Sequence, residues 1–151
     1  MKLSPIAASR IAEILIVDDN NDDVFLARAP FNEARLTVSL HHVSQGEKCM
    51  QFLRKQPPCA DAPSPDLILL DIHMPVMDGH EVMRAIADDP ALRHLAVVIL
   101  TTSCEAADIQ KMYGLRCSSY ITKSVDFNSF VGTIGKLAGY WLTVVIVPQT
   151  R

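Results

Sequence analysis

The chain has 151 residues, with 14 Lys plus Arg against 17 Asp plus Glu and 49% hydrophobic residues, which is the size and balance of one globular domain. A net charge of −3 and a pI near 5.9 supply no basic field, so composition argues against a nucleic-acid or anionic-membrane partner. The four cysteines, Cys49, Cys59, Cys104 and Cys117, make neither a C-x-x-C pair nor a zinc spacing and read as reduced thiols of a cytoplasmic protein. Residues 95–100 and 137–147 are the longest apolar stretches, too short for the ~20 helical residues that span a bilayer. Pro5 and Arg10 interrupt residues 1–13, which rules against a secretory signal there.

Strand and helix patterns alternate five times. Residues 13–17 (EILIV) form a short apolar run that stops on Asp18 and Asp19, as a buried strand does at the end of a sheet. Asn21-Asp22-Asp23 then opens a helical pattern with Val24, Ala27, Arg28 and Phe31 on one face, and Pro30 shortens or kinks it. A second strand is expected over 36–43 and a helix over 44–55, with Cys49, Phe52 and Leu53 inward. Residues 56–65 hold four of the nine prolines and read as a loop. The run 66–70 (DLILL) ends on Asp71; a helix is expected over 79–87, and the strand at 96–100 ends on Thr101-Thr102-Ser103. A short helix over 105–112, a strand over 119–121 ending near Lys123, and a helix over 126–140 with Asp126 as N-cap complete the pattern.

Strands joined by helical crossovers pair in parallel, with helices on both faces of the sheet. The expected fold is therefore a three-layer αβα domain. In such open sheets the site lies beyond the carboxyl ends of the strands. That edge gathers Asp18, Asp19, Asp71, Thr101 and Lys123. Clustered carboxylates repel one another unless a cation is shared, and Mg²⁺, which takes oxygen ligands, suits them. A carboxylate can also act as nucleophile in phosphoryl transfer if fixed cations neutralise the incoming oxygens, a role Lys123 can share while the Thr101 hydroxyl donates.

These residues resemble the receiver domain of two-component response regulators over about residues 13–140. The likeness rests on Asp18-Asp19 after the first strand, Asp71 within DLILLDIHMPVMDG, the Thr101-Thr102-Ser103 strand end, and Tyr120 three residues before Lys123. The resemblance implies a five-stranded sheet of flavodoxin-like order 2-1-3-4-5 with five helices. It also implies that Asp71 is the phosphoacceptor, that Asp18, Asp19 and Asp71 hold Mg²⁺ with the backbone carbonyl of His73, and that Thr101 and Tyr120 form a switch pair. Lys123 would form the ion pair with the phosphate. His73 and Ser103 lie two residues after Asp71 and Thr101, beside the path of an attacking water, and are expected to tune phosphate lifetime.

The family usually places Pro after the lysine; here Ser124 follows Lys123. A cis bond before Ser costs ~3 kcal/mol more than trans, so the loop carrying Lys123 is either trans or held by its surroundings. Gly79 is expected to serve a turn with unusual backbone angles. His41 and His42, adjacent on a strand, point to opposite faces and make a poor metal pair, while His80 and His94 stand isolated in sequence.

Residues 140–148 (YWLTVVIVP) form an apolar tail that should not be left in water. Tyr140, Trp141, Leu142, Val144 and Ile146 either fold back on their own domain or pair with a second subunit. With the long second loop, this tail resembles the single-domain regulators that partner bacterial phytochromes and related sensor histidine kinases, and implies a homodimer through the output face. The resulting division is a leader at 1–12, a receiver-like domain at 13–140 and an apolar extension at 141–151. The expected function is a stand-alone phosphoacceptor, not a turnover enzyme, that takes a phosphoryl group from a histidine kinase and signals by protein contacts or by passing phosphate to a downstream protein. Two rivals are a receiver-like interaction protein acting without phosphorylation, and a Mg²⁺-dependent phosphohydrolase, for which a substrate pocket and an acid/base group are missing from the pattern.

Overall fold

The computed structural model describes residues 4–6, 10–22, 28–29, 31, 37–123 and 127–143. Five strands, β1 (Ala12–Val17), β2 (Val38–Val43), β3 (Leu67–Leu70), β4 (Val97–Thr101) and β5 (Ser119–Thr122), pair in parallel in the order β2-β1-β3-β4-β5. This is the flavodoxin-like order expected. Four helices are delimited among the described residues: α1 (Gly46–Leu53), α2 (Gly79–Asp88), α3 (Ala106–Gly114) and α4 (Phe127–Thr143). Five were expected. The missing one, after β1, falls largely outside the described residues, of which 21–22, 28–29 and 31 are helical. Val24, Ala27 and Pro30 of that helix, the Asp126 cap, Ser124, and Val144 and Ile146 of the tail also lie outside them.

The central strands β1, β3 and β4 read as apolar runs because both faces of the sheet are covered there, so successive residues are buried on opposite sides. Leu15, Val17, Ile68, Leu70, Val97 and Ile99 face one core with Phe52 of α1, Val82, Met83 and Ile86 of α2, and Met112 of α3. Ile14, Ile16, Leu67, Leu69, Val98 and Leu100 face the other, where Ile6, Phe31 and the α4 residues Ile134, Ala138 and Leu142 pack. The spacing of four between Ile134, Ala138 and Leu142 keeps them on one helical face. That face draws α4 onward to Thr143, past the expected end at Tyr140, and buries Leu142 completely.

Helix α2 starts sharply. The carboxylate of Asp78 accepts from the Glu81 amide at 2.9 Å, satisfying a free donor of the first turn. Gly79 does not adopt a positive φ, which corrects the expected reason for it. It is needed for close approach instead: a Cβ there would lie 2.4 Å from the Asp71 carbonyl oxygen and 2.7 Å from the Ile72 Cα. The turn from β3 into α2 is thereby pressed against the backbone of Asp71.

Candidate functional site

Asp18, Asp71 and Lys123 each sit one step past a strand, still held by the ladder. The Asp18 amide donates to the Val43 carbonyl at 3.2 Å, that of Asp71 to Val17 at 2.9 Å, and that of Lys123 to Thr101 at 2.6 Å. Because the strands are parallel, all three side chains emerge at one edge. Asp18, Asp19 and Asp71 offer carboxylate oxygens within 4.8 Å of one another; Asp18 and Asp71 are buried and Asp19 is exposed. The Lys123 ammonium lies 2.7 Å from the Asp18 carboxylate and 3.8 Å from that of Asp71, and its side chain is only 9% exposed.

Among the described residues, charge at this edge is unbalanced, with three carboxylates facing one ammonium. Burial pushes the Asp18 carboxyl above the ordinary range, although the bonds from Lys123 and from the Asn20 amide pull the other way. A buried carboxylate that burial disfavours, beside two more hard oxygen donors, suits a divalent cation. The donor set therefore fits the metal expected from the sequence.

Thr101 ends β4 fully buried. Its hydroxyl accepts from the Ser103 amide at 3.4 Å. The Tyr120 hydroxyl donates to the Ser103 carbonyl at 2.9 Å, and burial pushes its phenol above the ordinary value. The Ser103 hydroxyl is turned away into α3, donating to the Asp108 carboxylate at 2.5 Å. The other Asp108 oxygen meets His80 Nε2 at 3.0 Å. The Ser103 hydroxyl, followed by His80, holds the Asp108 carboxyl below the ordinary range. His73 is exposed beside the site.

The contacts of three histidines were not legible from the sequence. His80, isolated in the chain, pairs with a residue 28 positions away. His42 bonds the Asp18 backbone carbonyl at 2.8 Å, and His41 meets Glu13 at 2.6 Å and packs on the Phe52 ring. At the far end, Leu142 is buried and Trp141 half-buried against the α4-side core, whereas Tyr140 is 59% exposed. All four cysteines are free, and burial pushes the Cys49 thiol up to about 12, which fits an inert core thiol.

Comparison with known proteins agrees with this geometry. Residues 14–134 match the response regulator receiver domain. The chain is 33% identical over 135 residues to the response regulator Rcp1 of Synechocystis sp., covering 89% of this chain and 92% of Rcp1. The Mn²⁺-bound form of Rcp1 superposes with a TM-score of 0.86 at 32% identity, over 91% of this chain and 99% of that one. The phosphorylated cyanobacterial phytochrome response regulator RcpA is similar over 93% of this chain and 100% of its own, with a TM-score of 0.88 at 33% identity. RPA3017, a response regulator in red light signaling of R. palustris, reaches 0.86 at 30% identity over 93% and 100% of the two chains.

Proposed function

The chain belongs to the response regulator receiver family, and from that premise we propose that it takes a phosphoryl group from a sensor histidine kinase onto Asp71. The observation that carries this reading is the meeting of Asp18, Asp19 and Asp71 with Lys123 at one sheet edge, with the Thr101 hydroxyl at the end of the adjoining strand. An Asp71 carboxylate oxygen attacks phosphorus while the bond from phosphorus to the donor nitrogen breaks, and the leaving imidazole departs with the donor. Asp18, Asp19, Asp71 and the His73 carbonyl would hold Mg²⁺, which when bound neutralises the phosphoryl oxygens. Lys123, already between Asp18 and Asp71, turns its ammonium to the new dianion, and Thr101 donates to a phosphoryl oxygen. His73 and Ser103 tune how fast water removes the group.

Output follows from the same residues. Drawing the Thr101 hydroxyl toward the phosphoryl group changes the support of Ser103, and through it of Tyr120, so the face made by α3, β5 and α4 is altered. The receiver unit comprises residues 13–140, with a leader before it and the segment from 141 onward as a packing or dimer arm. That unit signals as a homodimer, by contact with an effector or by phosphotransfer to a downstream protein. The exposed Tyr113 of α3 and Tyr140 of α4 support an interaction role for this face. The relatives RcpA, a cyanobacterial phytochrome response regulator, and RPA3017, a response regulator in red light signaling, support a photoreceptor kinase as the donor. Among the described residues no helix is long and apolar enough to cross a membrane.

The test is incubation with Mg²⁺ and a small phosphodonor followed by intact-mass measurement. A labile adduct on wild type that is absent from Asp71→Asn is expected. A folded wild type that takes no adduct from several donors contradicts the reading, and continuous phosphate release favours a hydrolase. Sedimentation tests the dimer: a monomer at high micromolar concentration, with and without a phosphoryl mimic, excludes it.

A further inference from the structure

We infer that His80 and Asp108 are positioning residues that strap the loop after β4 to the start of α2 and so hold Ser103 where it anchors both Thr101 and Tyr120. The inference rests on the receiver reading only for its consequence, not for its geometry. Four bonds meet at Ser103: its amide donates to the Thr101 hydroxyl, its carbonyl accepts from Tyr120, its hydroxyl donates to Asp108, and the same hydroxyl oxygen accepts from the Glu105 amide at 3.4 Å. Asp108 bridges, using one carboxylate oxygen for Ser103 and the other for His80 Nε2. His80 is the second residue of α2, directly after Gly79, whose backbone is pressed against the Asp71 carbonyl. A continuous path thus joins the backbone of Asp71 to the hydroxyl of Tyr120 through the Asp108 carboxylate, without passing through the carboxylates of Asp18, Asp19 or Asp71.

The strap also has little freedom to rearrange. His80 Nδ1 is buried without a hydrogen-bond partner, so the ring holds its place through Nε2 alone. If the bond to Asp108 is lost, no second polar contact of the ring remains among the described residues. The Ser103 hydroxyl would then lose the carboxylate's fixed orientation, and the carbonyl that receives Tyr120 would turn with it. Tyr120 is half-buried in this arrangement, while Tyr113 and Tyr140 are 51% and 59% exposed and serve as internal standards.

The test uses the full chain labelled with fluorotyrosine, with the Tyr120 line in the fluorine NMR spectrum assigned by Tyr120→Phe. In wild type, a neutral aqueous paramagnetic agent should relax the Tyr120 line severalfold less than the Tyr140 line. His80→Ala should bring Tyr120 close to the Tyr140 value, and His80→Arg, which restores a donor toward Asp108, should return it toward wild type. An unchanged Tyr120 line in folded His80→Ala overturns the strap, as does failure of Arg to rescue a changed one. Should His80→Ala not fold, Ser103→Ala replaces it, with increased Tyr120 relaxation expected and an unchanged line again decisive against the proposal. Adduct formation on wild type is followed in parallel by mass; its absence contradicts the receiver reading, whereas the fluorine result still decides the strap.

Discussion

Replacing Lys123 by Met tests whether the charge balance at the sheet edge is structural as well as chemical. The substitution keeps an unbranched apolar stem and removes only the ammonium, which lies 2.7 Å from Asp18 and 3.8 Å from Asp71 on a side chain 9% exposed. At an effective dielectric near 20, those separations correspond to gross attractions of about 6 and about 4 kcal/mol, most of which desolvation offsets. Breaking a buried pair from one side costs about 3–5 kcal/mol, because the remaining charge is left uncompensated. Burial already pushes the Asp18 carboxyl above the ordinary carboxylate range, so the charge left without Lys123 is one that burial disfavours. The side chains keep some solvent contact, 9% for Lys123, 6% for Asp18 and 10% for Asp71, so the expected loss at pH 7 is near the lower end, about 3 kcal/mol. With a urea slope of about 2 kcal/mol per molar, the unfolding midpoint should fall by about 1.5 M at unchanged slope. Added Mg²⁺ should recover more stability in the variant than it gives wild type, since it neutralises the same three carboxylates. A midpoint shift below about 0.3 M, with no difference in Mg²⁺ response, would show Lys123 to behave as a solvated surface lysine and refute the reasoning.

Gly79→Ala should destabilise by about 1–3 kcal/mol in chemical denaturation, because its Cβ meets the Asp71 carbonyl oxygen at 2.4 Å, and it should slow adduct formation as well. Leu142→Ala should cost about 2–5 kcal/mol in the same assay, since Leu142 is fully buried; a loss under about 1 kcal/mol would mean that the end of α4 is not docked. Asp108 gives a pH signature. Its folded carboxyl is held below the ordinary range, so its stabilisation is present above the unfolded value and is lost as pH falls through the folded one. Ser103→Ala removes the largest cause of that shift and should flatten the acid limb of the stability profile; an identical limb contradicts the assignment.

The sheet was legible because its strands are short apolar runs that end abruptly on Asp18, Asp71 and Thr101. Those endings carry the site too, as parallel pairing brings equivalent ends to one edge without any knowledge of side-chain contacts. The end of the last helix was less legible. Trp141, Leu142 and Thr143 begin a run that reads as an apolar tail, and only docking of Leu142 on the second core shows that they continue the helix. The Thr143 hydroxyl bonds back to the Gly139 carbonyl, a local contact that accommodates a β-branched residue in the last turn. Gly79 stands out in the sequence but its reason does not, since close approach and positive φ call for the same residue type. His80 could not be read at all. Its partner is 28 residues distant on another helix, and no periodicity links a residue at the start of one helix to an aspartate in the first turn of the next.

The central claim is that Asp71 itself becomes the acyl phosphate. It is tested most directly by treating the chain with Mg²⁺ and a small phosphodonor, reducing with borohydride and mapping the peptides. An acyl phosphate at Asp71 is reduced to homoserine, so conversion at that position alone, dependent on the donor, is the predicted result. Conversion at Asp18 or Asp19 instead, or none anywhere in a folded protein, would contradict the account.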